Sequence, residues 1–237
     1  MTDIEALLTK LKSDSEANCA LINFVSDHPV HSVAEAGTAL LVRGESDRKW
    51  VCFYCPDRAD FPELCKHLNS GDKHFAMVED WMLPILGKNK TIKWKMSSQK
   101  LVMPLNVPLP APEHHVQTLG PEHAEYIFAH WPYADVSTPE YTRERLEKGI
   151  SGGVFDRNKL VAWAATHDDG TLGFMTVLPE YRNRGYALAI TLDLIARQRR
   201  QGIPSFVHIE SENKKSLALA LKLGFVSKGN IHWLEYR

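Results

Sequence analysis

The sequence has little of what would direct a protein to a membrane or to nucleic acid. No apolar run in its 237 residues approaches the ~18 that a membrane-spanning helix requires. The formal net charge is −1, so no general basic excess attracts nucleic acid phosphates. The acidic start, Met1–Glu5, lacks the apolar core of a signal peptide and the arginines of a presequence. We therefore expect a cytoplasmic protein, with mitochondria as the alternative, and no membrane or nucleic acid partner.

Cysteine is also scarce, and its placement argues against a metal or redox centre. The sequence has 4 cysteines, and Cys52 and Cys55 have the C-x-x-C spacing of a redox pair or half a zinc site. The same residues continue an apolar stretch from Trp50 that reads as a strand, where successive side chains point to opposite faces. Because no second C-x-x-C occurs, we predict buried strand cysteines and no metal site.

A proline-rich segment divides the chain. Residues 103–115 contain four prolines and show neither helical nor strand periodicity. This composition predicts a linker between an N-terminal α/β domain, residues 1–105, and a second domain, residues 114–237. The pair His114-His115 is interpreted as part of a solvated linker and not as a metal ligand.

The apolar patterns predict secondary structure on both sides of this linker. In the first half we expect a helix from Ile4 to Val25, a short helix at 60–68, and strands at 38–42, 49–54 and 90–100. The second half is more regular, with expected helices at 121–131, 139–148, 187–201 and 214–223 and strands at 153–156, 159–166, 171–178, 206–209 and 231–235. The order α-α-β-β-β-α-β-α-β predicts an α/β fold with a mixed sheet.

The chain is organised around a strand, a basic loop and a helix. The apolar strand ending at Leu178 continues into Pro179–Ala187, whose residues 182–187 read Arg-Asn-Arg-Gly-Tyr-Ala. The first N–H groups of a helix have no intrahelical partner, and the helix dipole adds positive charge there. Small residues at Gly185 and Ala187 let an anion approach the backbone. The segment therefore predicts an anion-binding loop.

A second motif follows about 30 residues later. Asn213 and Ser216 lie one helical turn apart at a predicted helix start, so both can face one ligand. Leu219 and Leu223 face the core, and Gly224 ends the helix.

Together the two motifs resemble those of the GNAT acyltransferases. Arg182-x-x-Gly185-x-Ala187 is similar to the family pattern Gln/Arg-x-x-Gly-x-Gly/Ala, and Asn213 to Phe225 is similar to its Asn-containing helix. Within the superfamily, Leu178–Arg182 and the two-part layout resemble glycine N-acyltransferase-like proteins. The likeness covers roughly 154–225. It implies a GNAT fold, with a mixed and mostly antiparallel sheet flanked by helices, after a smaller GNAT-like N-terminal half.

The resemblance also implies an activity and a set of binding residues. GNAT enzymes transfer an acyl group from acyl-CoA to an amine by direct attack, so acetyl-CoA or another acyl-CoA is expected as cosubstrate and no permanently bound cofactor. A small amine or amino acid is the expected acceptor. The residues expected to bind the coenzyme are Met175, Thr176, Val177, Arg182, Asn183, Arg184, Gly185, Tyr186, Ala187, Asn213 and Ser216.

The sequence departs from the family where proton transfer is concerned. Thr171 stands where amino-acid-conjugating members have a Glu, and Ala220 stands where other members have a Tyr. Glycine conjugation is therefore expected to be slow or absent. His167 is the candidate general base, close to Asp168 and Asp169.

Other basic residues have less specific interpretations. His208 is expected on the strand beside the thioester, although a strand histidine more often has a structural role. Arg197, Arg199 and Arg200 could meet the 3′-phosphate of coenzyme A or form a solvated helix end.

Two alternatives to a small-molecule N-acyltransferase remain open. The missing Glu and Tyr favour a catalytically silent acyl-CoA-binding module. A protein N-acetyltransferase would require an open groove for a peptide acceptor.

Overall fold

A computed structural model of the chain describes residues 3–132, 134 and 137–237. Its helices are α1 (Ile4–Leu11), α2 (Ser15–Asp27), α3 (Phe61–Leu64), α4 (Leu83–Leu86), α5 (Ala124–Ala129), α6 (Pro139–Lys148), α7 (Tyr186–Arg200) and α8 (Lys214–Leu223). Its strands are β1 (Val30–Ala36), β2 (Ala39–Glu45), β3 (Lys49–Tyr54), β4 (His74–Glu79), β5 (Ile92–Met103), β6 (Ser151–Asp156), β7 (Lys159–Thr166), β8 (Leu172–Val177), β9 (Ser205–Ile209) and β10 (Val226–Tyr236).

The chain forms two compact units. The first contains the chain up to Leu101 together with 209–217 and 227–237, and the second contains 102–208 and 218–226. The expected domains, 1–105 and 114–237, concern pieces of chain that fold independently. That division stays a prediction that fragments would test.

In the first unit, six strands lie in the order β1-β2-β3-β4-β10-β5. The pairs β1–β2, β2–β3 and β4–β10 are antiparallel, whereas β3 and β4 run parallel. Alternate residues enter two cores, with Leu41 and Phe53 in one and Leu40 and Cys52 in the other. The α/β class with a mixed, mostly antiparallel sheet is confirmed.

The N-terminal helix prediction was wrong in its length. Asp14 ends the first helical stretch because its side chain accepts a hydrogen bond from the Ala17 backbone and thereby caps a new helix, α2. Strand β1 was missed because its sequence, VHSVAEA, mixes polar and small residues. Pairing with β2, and not its own pattern, makes it a strand.

In the second unit, β6, β7 and β8 form an antiparallel sheet. Helices α5, α6 and α7 pack on a core with Trp163 and Ile190 at its centre, both fully buried. The predicted order from α5 to β10 is confirmed. Before α5, Gln117 forms an isolated bridge with Gly153.

The start of the predicted linker is anchored within the second unit. Strand β5 continues to Met103, and Arg199 on α7 donates hydrogen bonds to the carbonyls of Val107 (2.8 Å) and Pro104 (2.9 Å). Arg199 therefore holds the chain segment 104–107, and the interpretation of this part as a plain solvated linker is corrected.

The described residues contain neither a membrane-spanning helix nor a cluster of metal-binding side chains. None of the helices among them has the length and apolar content to cross a bilayer. Residues 3–132, 134 and 137–237 also contain no group of three His, Cys, Asp or Glu side chains arranged to hold a metal ion. The four cysteines, all of them among the described residues, form no disulfide. Burial, together with the nearby carboxylates Asp60 and Asp57, raises the pKa of Cys55 to about 11.

Replacing Arg199 with Met should destabilise the protein by about 2 kcal/mol. The change removes charge-assisted hydrogen bonds to two backbone carbonyls and keeps most of the apolar stem. Thermal unfolding would measure the effect, with Arg200→Met as the matched control because Arg200 is exposed. Equal melting temperatures for the two variants would contradict this role.

Candidate active site

Strand β8 contains a bulge at Phe174. Trp163 pairs with Thr176 and Ala165 with Gly173, so a single residue of β7 lies opposite both Phe174 and Met175. Phe174 has a φ of 55°, in the left-handed region that a bulky residue seldom adopts. Its carbonyl accepts a hydrogen bond from the Thr176 hydroxyl at 3.2 Å. Because the extra residue departs from the regular ladder, backbone groups are redirected at this point of the strand.

Aromatic rings hold Phe174 in this conformation. Its ring, 3 % exposed, stacks on Trp131 at 4.4 Å and on His167 at 4.6 Å between centroids. Tyr141, on α6, lies nearly parallel to both His167 and Phe174 at about 6 Å. Trp131, Tyr141 and Phe174 come from three separate parts of the chain. No local motif links them, so the sequence alone does not indicate that they share a site.

His167 has a defined hydrogen-bond partner. Its Nδ1 lies 3.2 Å from the Tyr141 hydroxyl, which also lies 3.2 Å from Asp168 Oδ1. A carboxylate is the stronger acceptor, so the tyrosine proton is assigned to Asp168 and the Nδ1 proton of His167 to the Tyr141 oxygen. This arrangement leaves the lone pair of a neutral His167 on Nε2. A β-carbon at Gly173, on strand β8, would collide with Nε2 of His167. The absence of a side chain at Gly173 therefore leaves space for the imidazole.

Burial sets the protonation of this group. Loss of solvation lowers the pKa of His167, although the carboxylates of Asp169 and Asp168 oppose that effect. Burial also raises the pKa of Tyr141 well above its ordinary value, and the nearby Asp168 adds to the rise. His167 is therefore neutral at neutral pH and Tyr141 keeps its proton, as a basic Nε2 with a fixed tautomer requires.

Asp169 pairs with the other nearby histidine. Its Oδ2 lies 3.3 Å from Nδ1 of His208 on β9, and its Oδ1 accepts the Thr171 N–H at 2.9 Å. Burial by itself would raise the pKa of Asp169, but the hydrogen bond and charge of His208 outweigh it, and the pKa is lowered. Asp169 is thus the partner of His208 on β9. It also orders the turn before β8, in which it lies.

The side chain of Thr171 is not in a position to act as a base or to be replaced by one. The residue is 5 % exposed, and its hydroxyl lies 3.5 Å from the Phe206 carbonyl oxygen. A carboxylate here would lie in the protein interior. The position was identified from alignment to the Leu178–Arg182 segment, which carries no information on burial.

The basic loop is exposed and is braced by its own backbone. Nε of Arg182 donates to the Val177 carbonyl at 3.2 Å, and Arg184 donates to the Glu180 carbonyl at 3.1 Å. The Arg184 guanidinium also lies 5.1 Å from the centre of the Tyr181 ring. Residues 182–185 are exposed, so both cations remain accessible from solvent.

Helix α7 begins directly after this loop. Gly185 is its N-cap, with a φ of 81°, and Asn183 also has a positive φ of 62°. Glycine has no side chain to cap the helix, so the N–H groups of the first turn, from Tyr186 onward, have no intrahelical acceptor and lack a capping side chain at the N-cap. A glycine is needed at 185 because of this left-handed backbone as well as for close approach, a requirement that the sequence motif alone did not reveal.

His114 is a further residue that sequence analysis did not assign to the site. Its Nε2 lies 2.7 Å from the Arg184 carbonyl oxygen, and its ring packs edge-on against Tyr186 at 4.7 Å. The interpretation of His114 as solvated linker is therefore corrected. His115, next in the chain, is exposed.

The remaining predicted coenzyme residues lie on two elements. Met175, Thr176 and Val177 form the partly exposed end of β8, next to the basic loop in the second unit. Asn213 and Ser216 belong to the first unit, where Asn213 Oδ1 accepts the Ser216 N–H at 3.2 Å and caps α8. This cap uses one of the two lone pairs of the carboxamide oxygen and leaves the side-chain NH₂ available as a donor.

The arginines at the end of α7 have structural partners. Arg197 pairs with Asp193 at 2.7 Å and donates to Thr118 Oγ1 at 2.6 Å, and Arg199 anchors the segment 104–107. Arg200 is exposed at the helix end. The 3′-phosphate interpretation of Arg197 and Arg199 is thus disfavoured by their existing contacts.

Comparison with known proteins shows which family and which relative this chain is similar to. Residues 148–234 match the family described as FR47-like protein. A human protein, glycine N-acyltransferase-like protein 2, is 28% identical over 109 residues, which span 45% of this chain and 37% of that protein. The chain thus aligns with well under two thirds of this relative's length.

Solved structures share the fold across nearly the whole chain. A Drosophila protein is 16% identical, with a TM-score of 0.77 and coverage of 99% of this chain and 96% of its own. A GCN5-related N-acetyltransferase from Kribbella flavida is 16% identical, with a TM-score of 0.60 and coverage of 92% and 93%. The chain has the GNAT fold, as its sequence motifs predicted.

Replacing Thr171 with Glu should destabilise the protein by several kcal/mol at pH 8 and by less at pH 5, since an unpaired buried carboxylate is costly and a protonated one less so. The raised pKa expected for this acid means that the loss grows as pH rises through it. Thermal unfolding at both pH values would measure the effect. Thr171→Val, of similar volume, is the control, and a Glu variant as stable as the control at pH 8 would contradict the burial argument.

Proposed function

We propose that this protein is an acyl-CoA-dependent N-acyltransferase that transfers an acetyl or other acyl group to a small amine or amino acid. One observation carries the proposal: the bulged strand β8 leads directly into a basic loop and a Gly185-capped helix. Such a unit offers redirected backbone groups for a thioester within the strand. It also offers an anion-binding loop for a diphosphate just after the end of the same strand. The GNAT fold and the match of residues 148–234 to the FR47-like family support the same pairing.

The coenzyme would lie along β8 and the loop. Arg182 and Arg184, with the backbone N–H groups from Gly185 to Ala187, would bind the diphosphate, since a helix N-terminus and two cations both favour anions. Met175–Val177 would supply backbone hydrogen bonds to the pantetheine amides. Asn213 and Ser216 are retained as proposed contacts of the coenzyme.

The chemistry would be direct attack of the amine on the thioester. The amine nitrogen bonds to the carbonyl carbon, the carbon–sulfur bond breaks, and coenzyme A leaves as its thiolate. The amine must lose a proton, and we assign that proton to Nε2 of His167 before it passes to the departing sulfur. The assignment is supported by the lowered pKa of His167 and by the hydrogen bond that places its other proton toward Tyr141.

The bulge would stabilise the developing negative charge. A backbone N–H fixed near the thioester carbonyl acts as an oxyanion donor and requires no reorganisation during the reaction. The redirected backbone at Phe174 and Met175 is the candidate for this donor, because both residues lie opposite one residue of β7. Stacking by Trp131 and His167 keeps this backbone rigid.

The coenzyme assignment predicts a large effect of the loop on binding. Arg182→Glu combined with Gly185→Val should weaken acetyl-CoA binding more than tenfold, which is about 1.4 kcal/mol. The first change reverses a charge, and the second places a β-branched residue at a φ of 81°. Calorimetry with acetyl-CoA would measure the affinity. The exposed Lys88→Glu provides a charge control. An unchanged affinity of the double variant would overturn the assignment.

The base assignment predicts a change in turnover and not in binding. His167→Gln should lower kcat by about 10²–10³, the usual range for a general base, and leave acetyl-CoA affinity near the wild-type value. Because burial lowers the pKa of His167, the acidic limb of the wild-type kcat/KM profile should fall below pH ~6.5, and activity should be retained above it.

Steady-state release of coenzyme A from pH 5 to 9, with arylalkylamines and glycine as acceptors, would measure both effects. His115→Gln serves as the exposed histidine control. A wild-type rate for His167→Gln would place the base elsewhere.

The buried Thr171 and the Ala220 substitution favour a second candidate, a silent acyl-CoA-binding module. Binding of acetyl-CoA without release of coenzyme A to any acceptor would favour it. Turnover with peptide amines but not with small amines would favour a protein N-acetyltransferase.

A further inference from the structure

The proline-rich segment 103–115 of the second unit contains, near its end, a residue that contacts the basic loop. His114 Nε2 lies 2.7 Å from the carbonyl oxygen of Arg184, and its ring packs edge-on against Tyr186, the first residue of α7. A β-carbon built on Gly185 would lie 3.4 Å from the same Nε2. His114 therefore lies against the peptide group that joins Arg184 to Gly185.

This contact fixes the tautomer of His114. A carbonyl oxygen can only accept a hydrogen bond, so Nε2 of His114 must carry the hydrogen in the Nε2···O contact with Arg184. The imidazole can make the bond in both its neutral form and its cationic form.

The same contact fixes the direction of a backbone donor. A peptide group is planar and trans, so its C=O and its N–H point in opposite directions. When His114 binds the Arg184 carbonyl, the Gly185 N–H is directed away from His114. A rotated peptide would exchange the two, and it would present a partially negative oxygen where a phosphate is proposed to bind.

The loop itself leaves this peptide easy to rotate. Glycine adopts positive and negative φ with little difference in energy, and Gly185 follows the peptide in question. Its φ of 81° and the φ of 62° at Asn183 give the loop a sequence of turns that a small rearrangement would change. An external hydrogen bond to Arg184 is therefore well placed to select one orientation.

We propose that His114 is a positioning residue for the coenzyme diphosphate, acting by holding the 184–185 peptide with its N–H available to the anion. The inference rests on the proposed acyl-CoA binding at residues 182–187. It adds a role for the linker residue, which would support the loop without itself touching the reacting atoms.

Two substitutions separate the hydrogen bond from ring packing. His114→Gln keeps an N–H donor with a similar reach and loses the ring, whereas His114→Phe keeps a ring against Tyr186 and loses the donor. His115→Gln is the matched control, because His115 is the exposed neighbour in the chain. Arg182→Glu reports on the loop independently of His114.

The experiment is calorimetric titration of the full-length variants with acetyl-CoA, with thermal unfolding measured on the same samples. His114→Phe should weaken binding about three- to tenfold, as expected for loss of one hydrogen bond, while His114→Gln and His115→Gln should bind within twofold of wild type. Melting temperatures should be similar, and kcat at saturating acetyl-CoA should change little.

The outcomes distinguish this inference from the proposed function. If Arg182→Glu weakens binding but His114→Phe does not, the positioning role is wrong and the coenzyme site stands. If the Gln and Phe variants lose affinity and stability equally, His114 acts through packing, and the inference is again wrong. If the wild-type protein does not bind acetyl-CoA, the proposed function fails, and this inference fails with it.

Discussion

The left-handed backbone of Phe174 is the constraint on which the rest of the site depends. A φ of 55° at a bulky residue carries a cost of about 1–3 kcal/mol. Stacking on Trp131 and His167 offsets it, since each aromatic pair contributes about 0.5–1.5 kcal/mol beyond burial. The strand can therefore keep its bulge. The bulge interrupts the regular backbone hydrogen bonding of β8 with β7 at one point.

The same stack connects backbone geometry to proton chemistry. His167 is one face of the stack, so the interaction that holds Phe174 also fixes the orientation of the imidazole. The two histidines of this region have different partners: His167 faces the Tyr141 hydroxyl, and His208 pairs with Asp169. His208 thus has the carboxylate of Asp169 as its partner, whereas burial leaves His167 with a lowered pKa, which is the electrostatic condition for a base that works near neutral pH.

The basic loop depends on a comparable external support. Its arginines donate to carbonyls within the loop, but the peptide between Arg184 and Gly185 takes its partner, His114, from a distant part of the sequence. Arg199 holds the start of the same proline-rich segment. Both ends of that segment therefore contact the elements around α7, which explains why prolines without secondary structure can still have a defined path.

The sequence alone determined the element order of the second half and the α/β class, and it indicated the GNAT fold. These follow from local signals: apolar periodicity, and two motifs whose residues are close in the chain, such as Arg182 to Ala187 and Asn213 to Ser216. It did not determine strand β1, the break at Asp14 or the partners of Arg197, because sheet pairing, capping and ion pairs depend on residues elsewhere.

Only the tertiary structure decided the chemistry of the site. Thr171 is adjacent to a recognisable motif, yet its burial by Phe206 is set by packing between strands far apart in sequence. Trp131, Tyr141, His167 and Phe174 come together from two loops, helix α6 and strand β8, and His114 reaches Arg184 across about 70 residues of chain. Periodicity predicts which face of an element is buried, but which side chains meet there depends on how the elements pack.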